Sequence, residues 1–85
     1  MSKSVFTPAY QVLLEELIAA RREQQVTQVE LARRLGKPQQ WVSSVETGVR
    51  RIDLIELFAI ARALGVDGVA LTGRIERRLP ATFEI

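Results

Sequence analysis

Two apolar-patterned segments, each barely two turns of helix, lie either side of one glycine in TQVELARRLGKPQQWVSSVETG, residues 27–48. Thr27 and Glu30 have capping-box spacing, so each side chain is expected to reach the other residue's backbone N–H. Leu31, Ala32 and Leu35 provide the buried face of that helix, and Gly36 supplies its stop. A helix this short does not stand alone in water. The chain must therefore fold so that neighbouring segments pack it.

Those neighbours are legible on both sides. Thr7 is placed to cap a first helix and Pro8 suits its first turn, where a missing N–H costs nothing. Tyr10, Leu13, Leu14, Leu17 and Ile18 form one apolar stripe that ends near Glu23. After Gly48, Asp53 and Glu56 repeat the capping-box spacing, with Asp53 as the cap. Leu54, Ile55, Leu57, Phe58, Ile60, Ala61 and Leu64 then cover most of a helix circumference, which predicts a central helix ended by Gly65. Asp67 can cap a fifth helix with Val69, Leu71 and Ile75, and Pro80 must end it. The expectation is an all-α, compact bundle of about five short helices. Residues 1–73 would form the domain, with a motif at about 27–48, and 74–85 a C-terminal tail.

Composition removes several alternatives. The chain has 85 residues and neither cysteine nor histidine. Thiolate chemistry, cysteine-based zinc sites and a histidine general base are thereby excluded. No G-x-x-x-x-G-K-[ST] phosphate loop occurs, and Glu15 and Glu16, adjacent on a helix, are expected to point apart and not converge on a substrate. The chain reads as no enzyme, with no metal site and no cofactor. No run approaches the roughly 18 apolar residues that span a membrane. The opening MSKSVFTPAY lacks the apolar segment of a signal peptide, and the expected compartment is the cytoplasm. Net charge is only +2, but ten of the twelve basic residues are arginine, which suits bidentate contact with phosphate.

The stretch from Pro38 to Thr47 carries the functional signal. Wound as a helix, it puts Val42, Val45, Pro38 and Trp41 along one side and Gln39, Gln40, Ser43, Ser44 and Thr47 across the other. Water would accept charges on such a face, yet it holds only amides and hydroxyls. Two short helices joined by a glycine turn, the second with this face, suggest a helix-turn-helix, whose second helix reads base edges in the major groove. A glutamine amide both donates and accepts, and so can pair bidentately with adenine.

The same residues resemble the Xre/Cro-type helix-turn-helix of phage repressors and small bacterial regulators, from about Tyr10 to Thr72. Gln28 matches the family's glutamine opening the second helix, Leu31 and Ala32 its buried positions, Gly36 its turn, and Val42 and Val45 the inward side of its recognition helix. The resemblance implies a lambda-repressor-like DNA-binding domain, with base contacts at Gln39, Gln40, Ser43 and Ser44. It also implies a structural pair between Arg21 and Glu46. The sequence departs from the family at Gln25, where a glycine is common, at Pro38, where a capping Ser or Thr is common, at Ser44, where Lys is frequent, and at the large Trp41.

Backbone contacts to DNA are expected from Gln28, Lys37, Arg50 and Arg51. Trp41, at the border of the two arcs, either packs in the core or touches the sugar-phosphate backbone. Arg77 and Arg78 lie outside the motif and should face solvent. The function expected is a sequence-specific transcriptional regulator, a repressor on a pseudo-palindromic operator, bound as a homodimer to double-stranded DNA. The competing reading is an antitoxin or protein-partner module, with a toxin as partner. The late apolar residues Val69, Leu71, Ile75, Leu79, Phe83 and Ile85 would form the dimer interface, because an exposed apolar tail is otherwise a liability.

Overall fold

Capping decides where each helix begins. In a computed structural model that describes residues 7–85, Thr7 is extended and its hydroxyl accepts the Tyr10 N–H, with Pro8 opening α1 (Pro8–Glu23). The first six residues of MSKSVFTPAY, on which the signal-peptide expectation rests, lie outside the described residues. Next come α2 (Gln28–Leu35), α3 (Gln39–Glu46), α4 (Leu54–Leu64) and α5 (Gly68–Arg78). This is the expected bundle of five helices, and the described residues contain no strand. No helix among them is long and apolar enough to cross a membrane.

Asp53 and Glu56 form the full reciprocal capping box of α4. At α2 only half of the expected box exists. Thr27 accepts the Glu30 N–H at 3.0 Å, but the Glu30 carboxylate goes to Arg33 and Arg34. Two guanidiniums in reach outcompete one neutral backbone N–H, and their hydrogen bonds pull the Glu30 carboxyl down to about 2. Pro38 caps α3 with no side-chain hydrogen bond.

Three helices end through a left-handed residue, with the following N–H reaching back to a carbonyl five residues earlier. Gly36 (φ 69°) lets Lys37 N–H reach Ala32 O, and Gly65 (φ 76°) lets Val66 N–H reach Ala61 O, each at 2.9 Å. At the end of α1, Gln25 takes the same position at φ 59°, and Val26 N–H reaches Arg21 O at 3.1 Å. A side chain there pays the left-handed penalty that glycine avoids.

Packing is most extensive between α2 and α3, with α4 behind α2 and α1 closing against α5 and α3. Ala20 and Ala61 are fully buried, and Leu17, Leu31, Val42, Val45, Leu57, Leu64, Leu71 and Ile75 join them in one core. Two expectations change here. α4 is not apolar-buried all round: Leu54 and Ile55 stand 60% and 74% exposed, because only the Leu57, Ile60, Ala61 and Leu64 side meets other helices. Leu71 and Ile75, assigned to a dimer interface, belong to this chain's own core, whereas Val69 is exposed. The helix continues through residue 73 to Arg78.

The α1–α5 contact is fastened from outside by arginine. Arg74 pairs with Glu16 and Glu23, and Arg78 with Glu15 and Glu16. Glu15 and Glu16 do converge, against expectation, because one guanidinium spans both carboxylates. The hydrogen bond from Arg78 holds each of them below the usual carboxylate range. Phe83, about half exposed, lines a shallow hollow with Ala9, Tyr10, Leu13 and Ile75, and Ile85 is fully exposed.

Gln25 and Gly36 should respond oppositely to substitution. Gln25→Gly removes the left-handed penalty, offset partly by glycine's unfolded-state entropy, and is expected to stabilise by about 0.5–1 kcal/mol. A Cβ at Gly36 would meet nothing within 4 Å, so Gly36→Ala loses purely through backbone strain, by about 1 kcal/mol. Thermal unfolding followed by circular dichroism checks both, and shifts of the same sign would refute the assignment.

Candidate nucleic-acid interface

Helix α3 presents the residues singled out for base contact. Gln39 and Gln40, in its first turn, are exposed, while Ser43 and Ser44 are half-buried one turn further on. Val42 and Val45, on the opposite side, are buried against the other helices and fix the rotation of α3 about its axis. Gln40 Nε2 donates to Ser44 Oγ at 3.3 Å, a bond along one helix face. The end of α3 is tied down by the Thr47 hydroxyl, which donates to Ser43 O at 2.9 Å, and by Arg50 N–H, which donates to Ser44 O at 3.0 Å.

Beneath that face lies the expected pair of Arg21 and Glu46. Arg21 donates from Nε to Glu46 Oε2 at 2.6 Å and from Nη2 to Oε1 at 3.0 Å, and from Nη1 to Val26 O at 2.9 Å. The side chains are only 10% and 7% exposed. One guanidinium thus joins α1, the loop before α2, and the end of α3. The network continues outward. Gln28 Nε2 donates to Glu46 Oε1 at 2.9 Å, and Gln39 Nε2 donates to Gln28 Oε1 at 2.9 Å. Among the described residues no buried side-chain polar atom lacks a partner.

A second cluster sits beside α3. Trp41 is partly buried against the core, with the Lys37 ammonium 5.7 Å and the Arg50 guanidinium 5.0 Å from its ring centroid. Arg50 also pairs with Glu56, at 2.7 Å and 3.1 Å, and donates to Arg51 O at 2.9 Å. The hydrogen bond from Arg50 and that from the Asp53 backbone hold the Glu56 carboxyl below its usual range. The Arg51 guanidinium lies 4.2 Å from the Tyr10 ring centroid, and the Tyr10 hydroxyl accepts the Ile52 N–H at 3.1 Å. Lys37, Trp41 and Arg50 are thus brought together, Gln28 is turned toward Glu46 and Gln39, and Arg51 lies over α1.

Sequence reasoning missed two of these roles. Glu56 read only as a capping residue, since Arg50 and Glu56 are six apart across an irregular loop and share no helical spacing. The Gln28–Glu46 bond spans 18 positions and leaves no local signal either. Arg77 and Arg78 are both exposed as expected, and Arg78 in addition pairs with Glu15 and Glu16 of α1. Among the described residues no acidic or histidine cluster has the arrangement to hold a metal ion.

Removing one half of the buried pair should cost far more than removing both. Arg21→Met strands the Glu46 carboxylate and is expected to destabilise by about 3–5 kcal/mol. Adding Glu46→Leu should restore much of that loss, since the uncompensated charge is gone. Urea unfolding of the two variants provides the comparison.

The comparisons agree with this geometry. A family model described as helix-turn-helix matches residues 17–71, well over half of the chain. The chain is 47% identical over 51 residues to the uncharacterized HTH-type transcriptional regulator y4dJ of Sinorhizobium fredii, a match covering 60% of this chain and 66% of that one, just under two thirds. A solved XRE-family like protein from Pseudomonas syringae pv. tomato superposes with a TM-score of 0.79 at 44% identity, covering 85% of this chain and 88% of that one. The clp gene regulator ClgR from C. glutamicum shares the fold at a TM-score of 0.75 and 19% identity, over 91% of this chain and all of that one. Because that family match covers residues 17–71, the span that holds the Arg21–Glu46 pair, the Gly36 turn and the uncharged α3 face, the chain belongs to the Xre-type helix-turn-helix family.

Proposed function

We propose that the protein is a sequence-specific DNA-binding transcriptional regulator, a repressor that occupies a pseudo-palindromic operator as a homodimer. The observation that carries this reading is the α3 face itself. Gln39 and Gln40 are exposed at the helix start, with Lys37 two residues before Gln39 and Arg50, itself paired with Glu56, over the neighbouring Trp41 ring. Amides and hydroxyls suit base edges, and cations suit the phosphates on either side. The family and the regulators it resembles support the same reading.

Base reading is assigned to Gln39, Gln40, Ser43 and Ser44, and positioning on phosphate to Lys37, Trp41, Arg50, Arg51 and the start of α2 at Gln28. Selection from random duplex DNA, followed by binding of single-base variants, tests the division. Gln39→Ala should cost about 1–3 kcal/mol of discrimination at one base pair of each half-site. Arg51→Ala should weaken specific and nonspecific DNA alike and lower the salt slope by about one. Unchanged base preferences in both Gln39→Ala and Gln40→Ala would reject α3 as the reader.

A single motif covers one half-site, and a two-fold partner about 34–36 Å along the DNA supplies the rest. We assign the dimer surface to exposed apolar residues outside the α3 face, with the tail as one component through Phe83 and Ile85. We propose that the domain extends past residue 73 through Arg78, a reading supported by α5 running to Arg78 with Ile75 in the core. A chain ending at Leu79 should sediment as a monomer at micromolar concentration while the full chain sediments as a dimer. Equal behaviour of the two removes the tail from the interface.

A further inference from the structure

The guanidinium of Arg50 is held in place by this chain alone. Its backbone N–H donates to Ser44 O, which places the residue beside the end of α3. Nη1 donates to Arg51 O at 2.9 Å and to Glu56 Oε1 at 3.1 Å, and Nη2 donates to Glu56 Oε2 at 2.7 Å. The planar group lies over the Trp41 ring, 5.0 Å from its centroid. Glu56 is fixed in turn, because its Oε1 also accepts the Asp53 N–H in the capping box of α4.

What those partners leave over has a definite shape. A guanidinium carries five N–H groups, one on Nε and two on each Nη. Arg51 and Glu56 take both from Nη1 and one from Nη2. Glu56 spans the edge between the two terminal nitrogens, so the remaining Nη2–H lies beside Nε–H on the adjoining edge. Among the described residues neither of these two N–H groups has a partner, and no buried side-chain polar atom is left unpartnered. This edge is therefore open to solvent. The same edge of Arg21, Nε with Nη2, grips both oxygens of Glu46. Two parallel donors at that spacing match two oxygens of a phosphate as well as those of a carboxylate.

We propose that Glu56 is a positioning residue for phosphate binding, which fixes Arg50 across Trp41 so that its Nε–H and Nη2–H take one DNA phosphate as a fork; this rests on α3 being the DNA-reading helix. Glu56 touches no phosphate, and its charge by itself opposes DNA. Its contribution is direction. An unheld arginine loses rotamer freedom when it binds, whereas Arg50 is ordered beforehand. Lys37, 5.7 Å from the centroid of the same ring, adds a point charge without a fork.

Binding of the full-length protein to its selected duplex and to an unrelated duplex, followed by fluorescence anisotropy at one salt concentration, separates direction from charge. Arg50→Lys keeps the charge and loses the fork, and should weaken both complexes about tenfold. Glu56→Gln removes a negative charge. A Glu56 that only screened Arg50 would thereby tighten binding, whereas a positioning Glu56 requires a loss of about three- to tenfold. That loss should vanish in the Arg50→Lys background, because Glu56 acts through the fork. A neutral methylphosphonate moved along the selected duplex should mark one phosphate per half-site that matters to the unsubstituted protein and no longer to Arg50→Lys.

If Glu56→Gln does not fold by circular dichroism, Glu56→Asp, which keeps the charge and shortens the reach, takes its place with the same expected loss. The proposal is overturned, with α3 still the reader, by an Arg50→Lys affinity within twofold of the unsubstituted protein or by a Glu56 variant that binds unchanged or tighter. A Glu56 loss that persists in the Arg50→Lys background, or a scan with no such phosphate, overturns it equally. If the protein enriches no duplex from a random library, DNA reading itself fails and the positioning role falls with it.

Discussion

The bidentate bond between Arg21 and Glu46 ties together elements that have little else to hold them in register. Helices α2 and α3 have eight residues each and no independent stability in water. Their relative placement depends on buried contacts such as Leu31, Ala32, Val42 and Val45, which set distance well but rotation less sharply. The guanidinium adds direction. Its planar fork grips both carboxylate oxygens from α1 while the remaining nitrogen holds the Val26 carbonyl in the loop that leads into α2. Burial makes such a pair costly to form and costlier still to leave half-made. Only the arrangement that satisfies all of its hydrogen bonds is therefore acceptable.

Charge elsewhere follows the same logic of local use. The net charge of +2 conveys little, because most of the arginines are engaged inside the molecule. Arg33 and Arg34 share Glu30, Arg50 holds Glu56, and Arg74 and Arg78 clamp α5 to the acidic outer side of α1. Exposed pairs of this kind contribute little stability individually. Arg74 and Arg78 answer the acidic outer side of α1, whereas Arg50 is shared between Glu56 and the Trp41 ring. Lys37 and Arg50 both lie over the Trp41 ring, so that an aromatic at the edge of the core supports positive charge beside α3.

The boundaries of the helices were legible because they depend on neighbours in sequence. Thr7, Thr27, Asp53 and Asp67 all cap as their spacing predicts, and Gly36 and Gly65 both adopt the left-handed turn. The capping box at Thr27 was half wrong for an equally local reason, since Arg33 and Arg34 lie within one turn of Glu30 and win its carboxylate. Burial was less legible where apolar residues exceed what the core can take. Leu54 and Ile55 carry the same hydrophobic signal as Leu57 and Ile60, and nothing in the pattern tells which side of α4 finds a neighbour.

Taken alone, the order of residues determined the five helices, their caps and turns, and the uncharged character of the α3 face, because each arises from interactions within a turn or two of helix. Tertiary structure alone decided which atoms of that face are already occupied. Gln28 and Gln39 read in sequence as two independent amides with four N–H groups between them. Their alignment with Glu46 comes from the crossing of α2 over α3, a contact between residues 11 and 18 positions apart that no short-range spacing encodes. The packing of α5 against α1 and α4 settles that Leu71 and Ile75 have their partners within this chain, while Leu54, Ile55 and Val69 stand exposed. Hydrophobic and amide groups are non-specific about their partners until the fold brings one within reach.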